Sequence, residues 1–146
     1  MAHPRNTQFS VAVHLLTLLA DAPGETLESQ ALSMSPATNP VHVRRVLGLL
    51  REEGLVLSRP GAHGGWTLAQ APQSIDLGKV WRAVNREDAV LGLHMPDPGC
   101  ATGRLVSSSL RAIDRLLFDA LVAELSHITV ADVLAGAVIA ELTLKP

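Results

Sequence analysis

The most constraining feature of this sequence is residues 39–66, where the signals of a helix are followed at once by those of a hairpin. The stretch reads NPVHVRRVLGLLREEGLVLSRPGAHGGW. Asn39 can cap orphan N–H groups at a helix start, and the fixed φ of Pro40 suits the first helical position. Gly54 ends this predicted helix. Apolar residues between them recur at helical spacing, which predicts a buried face of Val43, Val46, Leu47 and Leu50.

A short hairpin is predicted directly behind this helix. Residues 55–58 form a β-rich run, residues 66–69 can return antiparallel, and glycines at 61, 64 and 65 allow the turn between them. The helix leaves His42, Arg44, Arg45 and Arg51 for its outer surfaces. A basic helix beside a glycine-tipped hairpin suits a DNA duplex, with the helix in the major groove and the hairpin tip on the backbone or minor groove. We therefore expect DNA contacts from Thr38, Asn39, His42, Arg44, Arg45, Ser58, Arg59 and His63.

Helical periodicity predicts further helices in front of and behind this stretch. A first helix over residues 9–20 ends at the turn DAPG, and a short second helix opens at Glu25 or Thr26 and closes at Ser35-Pro36. A short helix, a brief turn and a longer helix form a helix-turn-helix. Behind the hairpin, Ser74 or Asp76 can cap a helix that carries Trp81, for which core packing is favoured over a ligand role.

The second half of the chain is built differently. Residues 92–103, reading GLHMPDPGCATG, form a predicted loop. From Leu105 an amphipathic helix follows, whose apolar stripe would be a large exposed patch in a monomer and so predicts a homodimer through residues 105–125. We expect a winged helix-turn-helix DNA-binding domain at 1–91, a loop with Cys100 at 92–103, and a dimerisation helix plus one short C-terminal helix at 104–146. The fold class is mainly α with a small β-hairpin wing.

Composition limits the classes of function. The 146 residues are 47% hydrophobic and 3% aromatic, which fits one globular domain, or a small domain plus an extension, with an aliphatic core. The net charge of −2 argues against general coating of nucleic acid, although a specific binder needs only a local basic patch. One cysteine excludes an internal disulfide framework and a four-cysteine zinc site. With no signal peptide or membrane span recognisable, we expect a cytoplasmic protein without a membrane partner.

Motifs of catalysis and of metal binding are missing from the sequence. GAHGG lacks the Lys-Ser or Lys-Thr of a phosphate loop, and no G-x-S-x-G, HExxH or CxxC spacing occurs. The only close pair of potential metal ligands is His94 with Cys100. We therefore expect no enzyme activity, no metal site and no cofactor. His14 lies close to the apolar stripe of the first helix, and we expect it to pack there with one ring nitrogen satisfied.

With these residues placed, the chain resembles the bacterial winged-helix regulators that include the iron–sulfur-cluster regulator and the nitric-oxide-sensing repressor. The resemblance rests on FSVAVHLLTLLA, on VRRVLGLLREEGLVLSRPGAHGGWTLAQAP with its wing glycines, on IDLGKVWRAV, and on the loop and long helix behind them. It covers nearly the whole chain. It implies a dimeric transcriptional regulator, acting as a repressor, whose two reading helices lie about one DNA turn apart, roughly 34 Å, on a pseudo-palindromic operator.

The chain departs from that family's pattern at two places. Cluster-binding members carry three cysteines in the loop, whereas this chain has only Cys100, so three-thiolate ligation within one subunit is impossible. Pro60 stands where cluster-sensing members tend to place a wing arginine, which leaves Arg59 for that contact. The resemblance to single-cysteine members implies oxidant sensing through Cys100, whose thiolate the following helical N–H groups can stabilise. A small buried residue at Cys100 is the alternative.

Two hypotheses of function remain open at this point. The first is a dimeric, sequence-specific DNA-binding regulator that binds double-stranded DNA. The alternative is a helical protein-interaction module that has the winged-helix shape but does not bind DNA. DNA binding through several phosphates weakens steeply with ionic strength, whereas an apolar protein interface barely responds, so salt dependence separates the two.

Overall fold

The computed structural model describes residues 7–86 and 89–144, and within these ranges it is mainly helical with one two-stranded antiparallel sheet. The elements in chain order are α1 (Thr7–Asp21), α2 (Ser29–Met34), α3 (Pro40–Glu52), β1 (Val56–Arg59), β2 (Gly65–Leu68), α4 (Leu77–Asn85), α5 (Ala101–Leu125), α6 (Val130–Leu134) and α7 (Ala137–Leu144). A short 3₁₀ turn, Pro72–Ser74, precedes α4. No helix of the described ranges is long and apolar enough to cross a membrane. Residues 1–6, on which part of the expectation about a signal peptide rests, lie outside the described residues.

Side-chain caps set the starts of α3 and α4. The Oδ1 atom of Asn39 accepts from the backbone N of Val41 at 2.8 Å, which confirms the predicted start of α3. Of the two candidates for α4, Asp76 is the cap, because its Oδ1 accepts from the backbone N of Lys79 at 2.9 Å. At the other end of α3, Gly54 adopts φ +71°, a left-handed conformation that costs glycine little and ends the helix as predicted.

One aliphatic core lies between α1, α3, α4 and α6. The predicted inner face of α3 is fully buried, since Val43, Val46, Leu47 and Leu50 are all 0% exposed. Trp81 is also buried and packs edge-to-face on Phe9, with ring centroids 5.1 Å apart, which confirms its role in the core. His14 is half-buried, and its Nε2 lies 2.7 Å from the hydroxyl of Ser35, so one ring nitrogen is satisfied as expected.

The chain behind α5 returns to the N-terminal half. The backbone N of Val130 donates to the carbonyl of Ile75 at 2.9 Å, and the N of Leu77 donates to the carbonyl of Ile128 at 2.8 Å. Val130 is fully buried in the same core as α1 and α4. A capping box between Thr129 and Asp132 starts α6, and these hydrogen bonds hold the pKa of the Asp132 carboxyl below its ordinary value.

Two predicted helix boundaries in the N-terminal half and loop are wrong. The second helix begins at Ser29 and not at Glu25 or Thr26, because Leu27 forms an antiparallel bridge with Trp66 of the hairpin. The long helix begins at Ala101 and not at Leu105, because the Sγ atom of Cys100 accepts from the backbone N of Gly103 at 3.3 Å and caps it.

The predicted single C-terminal helix is also wrong, because the structure has two helices there. The break between α6 and α7 falls at Gly136, whose φ is +69°. This left-handed conformation ends α6, and the chain starts again at Ala137.

Candidate nucleic-acid interface

The predicted hairpin is present, with strands shifted by about one residue. The strands Val56–Arg59 and Gly65–Leu68 pair antiparallel, from Val56 opposite Leu68 to Arg59 opposite Gly65. The hairpin follows α3 closely, with Glu53, Gly54 and Leu55 as the connection. This arrangement of a helix-turn-helix and an adjoining hairpin is a winged helix, and we call residues 56–68 the wing.

The wing turn requires glycine at two positions. Gly65 has φ +147°, and a Cβ atom there would lie 2.5 Å from the carbonyl oxygen of Leu27. A Cβ atom at Gly64 would overlap the carbonyl oxygen of Arg59. Both obstacles are backbone atoms, which cannot move aside as a flexible side chain can. The Gly-Gly pair that the sequence placed in the turn is therefore fixed by close packing of backbone on backbone.

The wing is attached to the helix-turn-helix through Trp66. The backbone N of Trp66 donates to the carbonyl of Leu27 at 2.8 Å, and the N of Leu27 donates back to the carbonyl of Trp66 at 3.0 Å. The indole Nε1 also donates to the hydroxyl of Ser29 at 3.0 Å. This attachment was not predicted from the sequence. The available signal was the tryptophan itself, because a partly buried indole N–H needs an acceptor.

Arg51 also fastens the wing to α3 and does not extend freely from the helix. Its Nη1 donates to the hydroxyl of Ser58 at 3.1 Å, and its guanidinium lies over the ring of Trp66, 5.7 Å from the centroid. Ser58 is exposed but shares its hydroxyl with Arg51. Both residues therefore hold α3 and the wing in one relative orientation.

The outer face of α3 carries the basic residues. At about 100° per residue, Val41 and Arg45 lie on one row directly opposite the buried face, with Arg44 beside them. Arg44 and Arg45 are exposed, and no described carboxylate lies within ion-pair distance of either. Glu52 at the end of the same helix is paired with Arg86. The outer face is therefore positively charged in spite of the chain's net charge of −2.

The other predicted contact residues lie at the start of α3 and on the wing. Asn39, Arg59 and His63 are exposed, whereas Thr38 and His42 are half-buried. The amide oxygen of Asn39 is occupied by the helix cap, which leaves its amide nitrogen. Ser58 and Arg59 line a groove of about 550 Å³ between the wing and the start of α2. The basic residues of α3 do not line that groove, so Arg59 lies on a part of the surface separate from theirs.

Two exposed features of α3 were missed by the sequence analysis. Val41 is 67% exposed although it is apolar, and Gly48, in the row of Val41 and Arg45, has no atom of the protein within 4 Å of the place a Cβ would take. The signal for both was the helical period, because Val41 and Gly48 fall on the face opposite Val43 and Leu50. Both positions leave α3 open to close approach from outside.

Cys100 lies far along the chain from this surface, at the start of α5. It is exposed, so the interpretation as a small buried residue is wrong. Its Sγ atom accepts the hydrogen bond from Gly103 described above. Residues 7–86 and 89–144 contain no group of three or more His, Cys, Asp or Glu side chains arranged to hold a metal ion.

Three proteins illustrate what the chain is similar to. A candidate HTH-type transcriptional regulator of Bacillus subtilis, YwnA, is 34% identical over 106 residues, which are 72% of this chain and 77% of that protein. The crystal structure of a candidate transcriptional regulator from Lactobacillus plantarum matches with TM-score 0.73 and 24% identity over 89% of each chain. The structure of IscR from T. potens matches with TM-score 0.61 and 23% identity, over 90% of this chain and 85% of that one. The two structural matches agree with the predicted winged-helix fold.

The Rrf2 family, described as iron-dependent transcriptional regulators, matches residues 5–136. The donor set of the described residues does not fit an iron site, because Cys100 is the chain's single thiol and no group of three ligand side chains surrounds it. The relatives are transcriptional regulators and not enzymes. The family match spans nearly the whole sequence and confirms the resemblance drawn from its motifs, and the chain therefore belongs to the Rrf2 family of transcriptional regulators.

Proposed function

We propose that this protein is a homodimeric repressor that binds a pseudo-palindromic operator through α3 and the wing. The observation that supports this most directly is the outer face of α3, where Arg44 and Arg45 are exposed and have no carboxylate partner among the described residues. Unpaired arginines on a helix suit recognition of guanine, because a guanidinium can donate to O6 and N7 together. We further propose that the protein acts in the cytoplasm.

Each contact residue has a proposed partner on the duplex. Arg44 and Arg45 contact base edges in the major groove, and the exposed Val41 contacts a thymine methyl group. Arg59 and His63 on the wing contact the backbone or the minor groove, and Ser58 lies beside them. Thr38, Asn39 and His42, at the start of α3, are placed for phosphate contacts, which helix N-termini favour.

The test begins with selection of bound fragments from random duplex DNA, which supplies a preferred sequence. Arg44→Ala and Arg45→Ala should each weaken the selected duplex by about 1–3 kcal/mol and relax its specificity. Arg59→Ala should weaken all duplexes alike and lower the salt slope by about 1. Arg104→Ala, an exposed arginine of α5, is the matched control and should bind as wild type does. Equal affinity of wild type and both helix variants for every duplex, with no salt dependence, would support the protein-interaction alternative.

Dimerisation is proposed through the apolar stripe of α5. Val106, Ile113 and Leu117 lie on one face and are 42%, 45% and 40% exposed, and the neighbouring Leu105 and Leu116 are about 70% exposed. Such a continuous apolar face is unusual on a monomer, and a second copy of the same helix would cover it.

Charge placed in the stripe tests this interface. The double variant Ile113→Glu and Leu117→Glu should sediment as a monomer, because two carboxylates would be buried against the partner. Ser108→Glu, on the other side of the same helix, should remain a dimer. If the double variant also stays dimeric, the interface lies elsewhere on the chain. A monomer that still folds should bind the selected duplex far more weakly, since it contacts one half-site.

A redox response through Cys100 is the last part of the proposal. The thiol is exposed and caps α5, the helix that carries the apolar stripe. Oxidation of this thiol would therefore alter the junction between the loop and α5. Attack of the thiolate on hydrogen peroxide gives a sulfenic acid and hydroxide. One small thiol then forms a mixed disulfide with release of water, and a second small thiol reduces that disulfide and frees Cys100. Operator affinity of wild type should fall after mild peroxide while that of Cys100→Ser is unchanged. An identical loss in both proteins would show that this cysteine is not the switch.

We propose that the chain is divided into a DNA-binding domain at residues 1–91, a loop at 92–103 and a dimerisation region at 104–146. The packing of α6 adds one detail to this division. Val130 of α6 is buried in the core of the DNA-binding half, so the end of the chain supports that half as well. A movement of α5 would therefore be transmitted to the winged helix both through the loop before α5 and through α6 behind it.

A further inference from the structure

A cavity of about 590 Å³ lies between the end of α4 and the middle of α5. Four arginines line it, two from each helix: Arg82, Arg86, Arg111 and Arg115. None of these residues belongs to the proposed DNA contacts. The cavity is therefore a second concentration of positive charge, at the junction of the DNA-binding half and the long helix.

Three of the four arginines form no ion pair with a described residue. Arg82, Arg111 and Arg115 have no carboxylate of the described residues within 4.0 Å. Arg82 lies over the ring of Phe118, 5.7 Å from its centroid, and the Nη2 atom of Arg111 donates to the hydroxyl of Ser107 at 2.8 Å. These contacts orient the guanidinium groups without compensating their charge.

Two carboxylates also line the cavity, and they do not cancel the arginines. The Oδ1 atom of Asp114 accepts from the backbone N of Leu91 at 2.6 Å, so this carboxylate holds the loop. Asp119 makes no ion pair with a described residue. Because Arg86 is paired with Glu52, three guanidinium groups without an ion pair face these two carboxylates, and the described residues keep a net positive charge that a bound anion would balance.

We propose that this cavity, which we call the arginine cavity, binds a small multivalent oxyanion, of the phosphate-bearing or polycarboxylate class. Guanidinium groups donate paired N–H bonds in a planar fork that matches phosphate and carboxylate oxygens. Groups from two helices converge on one space large enough for a small metabolite. An oxyanion there joins the end of α4 to the middle of α5.

The arginine cavity stays open in the proposed dimer. Arg111 and Arg115 each lie two positions from Ile113, which at about 100° per residue places them about 160–200° around the helix from that residue. The apolar stripe and the cavity therefore occupy opposite faces of α5. The ligand and the partner subunit do not compete for the same surface.

Arg86 gives the arginine cavity a direct connection to α3. Its Nη2 donates to Oε2 of Glu52, the last residue of that helix, and its own backbone is left-handed at φ +43°. An oxyanion that attracts Arg86 competes with Glu52 for the same guanidinium. This step rests on the proposed function: occupation of the arginine cavity changes operator affinity through the Arg86–Glu52 pair.

Binding is tested by calorimetry on the full chain with pyrophosphate and, separately, with citrate. The wild type should bind at least one of the two with one site per subunit, and which of them binds identifies the class. The variant Arg111→Gln with Arg115→Gln should lose at least tenfold in affinity. Arg104→Gln, an exposed arginine of the same helix outside the cavity, should bind as wild type does. Circular dichroism checks that each variant is folded.

A further control separates the arginine cavity from the DNA-binding surface. The variant Arg45→Gln with Arg59→Gln should keep full oxyanion affinity. The proposal is overturned if neither anion binds at millimolar concentration, if the cavity variant binds as wild type does, or if the DNA-surface variant loses binding instead. A different outcome separates the two proposals. If neither the wild type nor any variant binds DNA, but the wild type binds the anion and the cavity variant does not, the proposed function is refuted and the oxyanion site stands.

Discussion

Gly48 lies in the middle of α3, where glycine weakens a helix. It costs about 1 kcal/mol relative to alanine, because its backbone loses more freedom on folding. Packing within the protein does not require it, since nothing lies within 4 Å of the place its Cβ would take. It follows Val41 and Arg45 on the outer row of the helix. We infer that Gly48 lets the backbone of α3 approach bases closely.

Gly48→Ala should therefore move stability and DNA affinity in opposite directions. The free energy of unfolding should rise by about 1 kcal/mol, which for a chain of this size raises Tm by about 2–5 °C. Affinity for the selected duplex should fall by about 1–3 kcal/mol, or roughly 5–150-fold, because one added methyl group overfills a closely packed contact.

Thermal unfolding followed by circular dichroism measures the first effect, and titration of labelled duplex measures the second. Ser108→Ala in α5 is the control, because it raises helix propensity at an exposed position away from α3 and should leave DNA affinity unchanged. A Gly48→Ala protein that is more stable and binds the duplex as tightly as wild type would refute the close approach. Loss of stability would refute the open geometry of α3.

Two further outcomes follow from the structure. Gly65→Ala should lower the free energy of unfolding by about 2–4 kcal/mol, because the added Cβ collides with the carbonyl of Leu27 and breaks the bridge to the wing. Gly61→Ala should lower it by only about 1–2 kcal/mol, because that position has open space and only its φ of +101° is unfavourable. Equal losses of the two variants in urea titrations would contradict this. The lowered pKa of Asp132 stabilises the folded chain above the ordinary carboxyl pKa of about 4, and that stability is lost as pH falls through the lowered value. Asp132→Asn should remove this acid dependence and leave a flatter profile of Tm below about pH 4.

The sequence was sufficient where one local signal decided the structure. The inner face of α3 followed from the helical period, its start from Asn39 and its end from Gly54, and all three were confirmed. The hairpin followed from the glycine pair between two β-rich runs. Periodicity, caps and turn glycines act within a few residues, so these signals can be recognised in the sequence without knowledge of three-dimensional contacts.

The sequence was insufficient where distant residues compete for the same backbone. The helical pattern predicts Leu27 inside the second helix, but its N–H and carbonyl form a bridge with Trp66, and the helix begins later. Arg51 is exposed as predicted, but its contacts with Ser58 and Trp66 do not follow from the helical period. Both contacts are made by the wing, which lies up to about forty positions away along the chain.

The net charge of the chain does not indicate that its arginines are clustered. Eight of the ten arginines lie in two groups, one on α3 and the wing and one in the arginine cavity, while the whole chain carries a net charge of −2. Glu52, the last residue of α3, is paired with Arg86 of the second group, so its charge does not offset the arginines of the first. That ion pair links the two groups: an anion that draws Arg86 into the cavity would leave Glu52 unpaired at the end of α3. Its negative charge would then oppose DNA on the same helix that carries Arg44 and Arg45. The sign of regulation follows, because an oxyanion in the arginine cavity should weaken operator binding. Glu52→Gln should abolish that response and should give an anion affinity equal to or higher than that of wild type, because the competitor for Arg86 is removed.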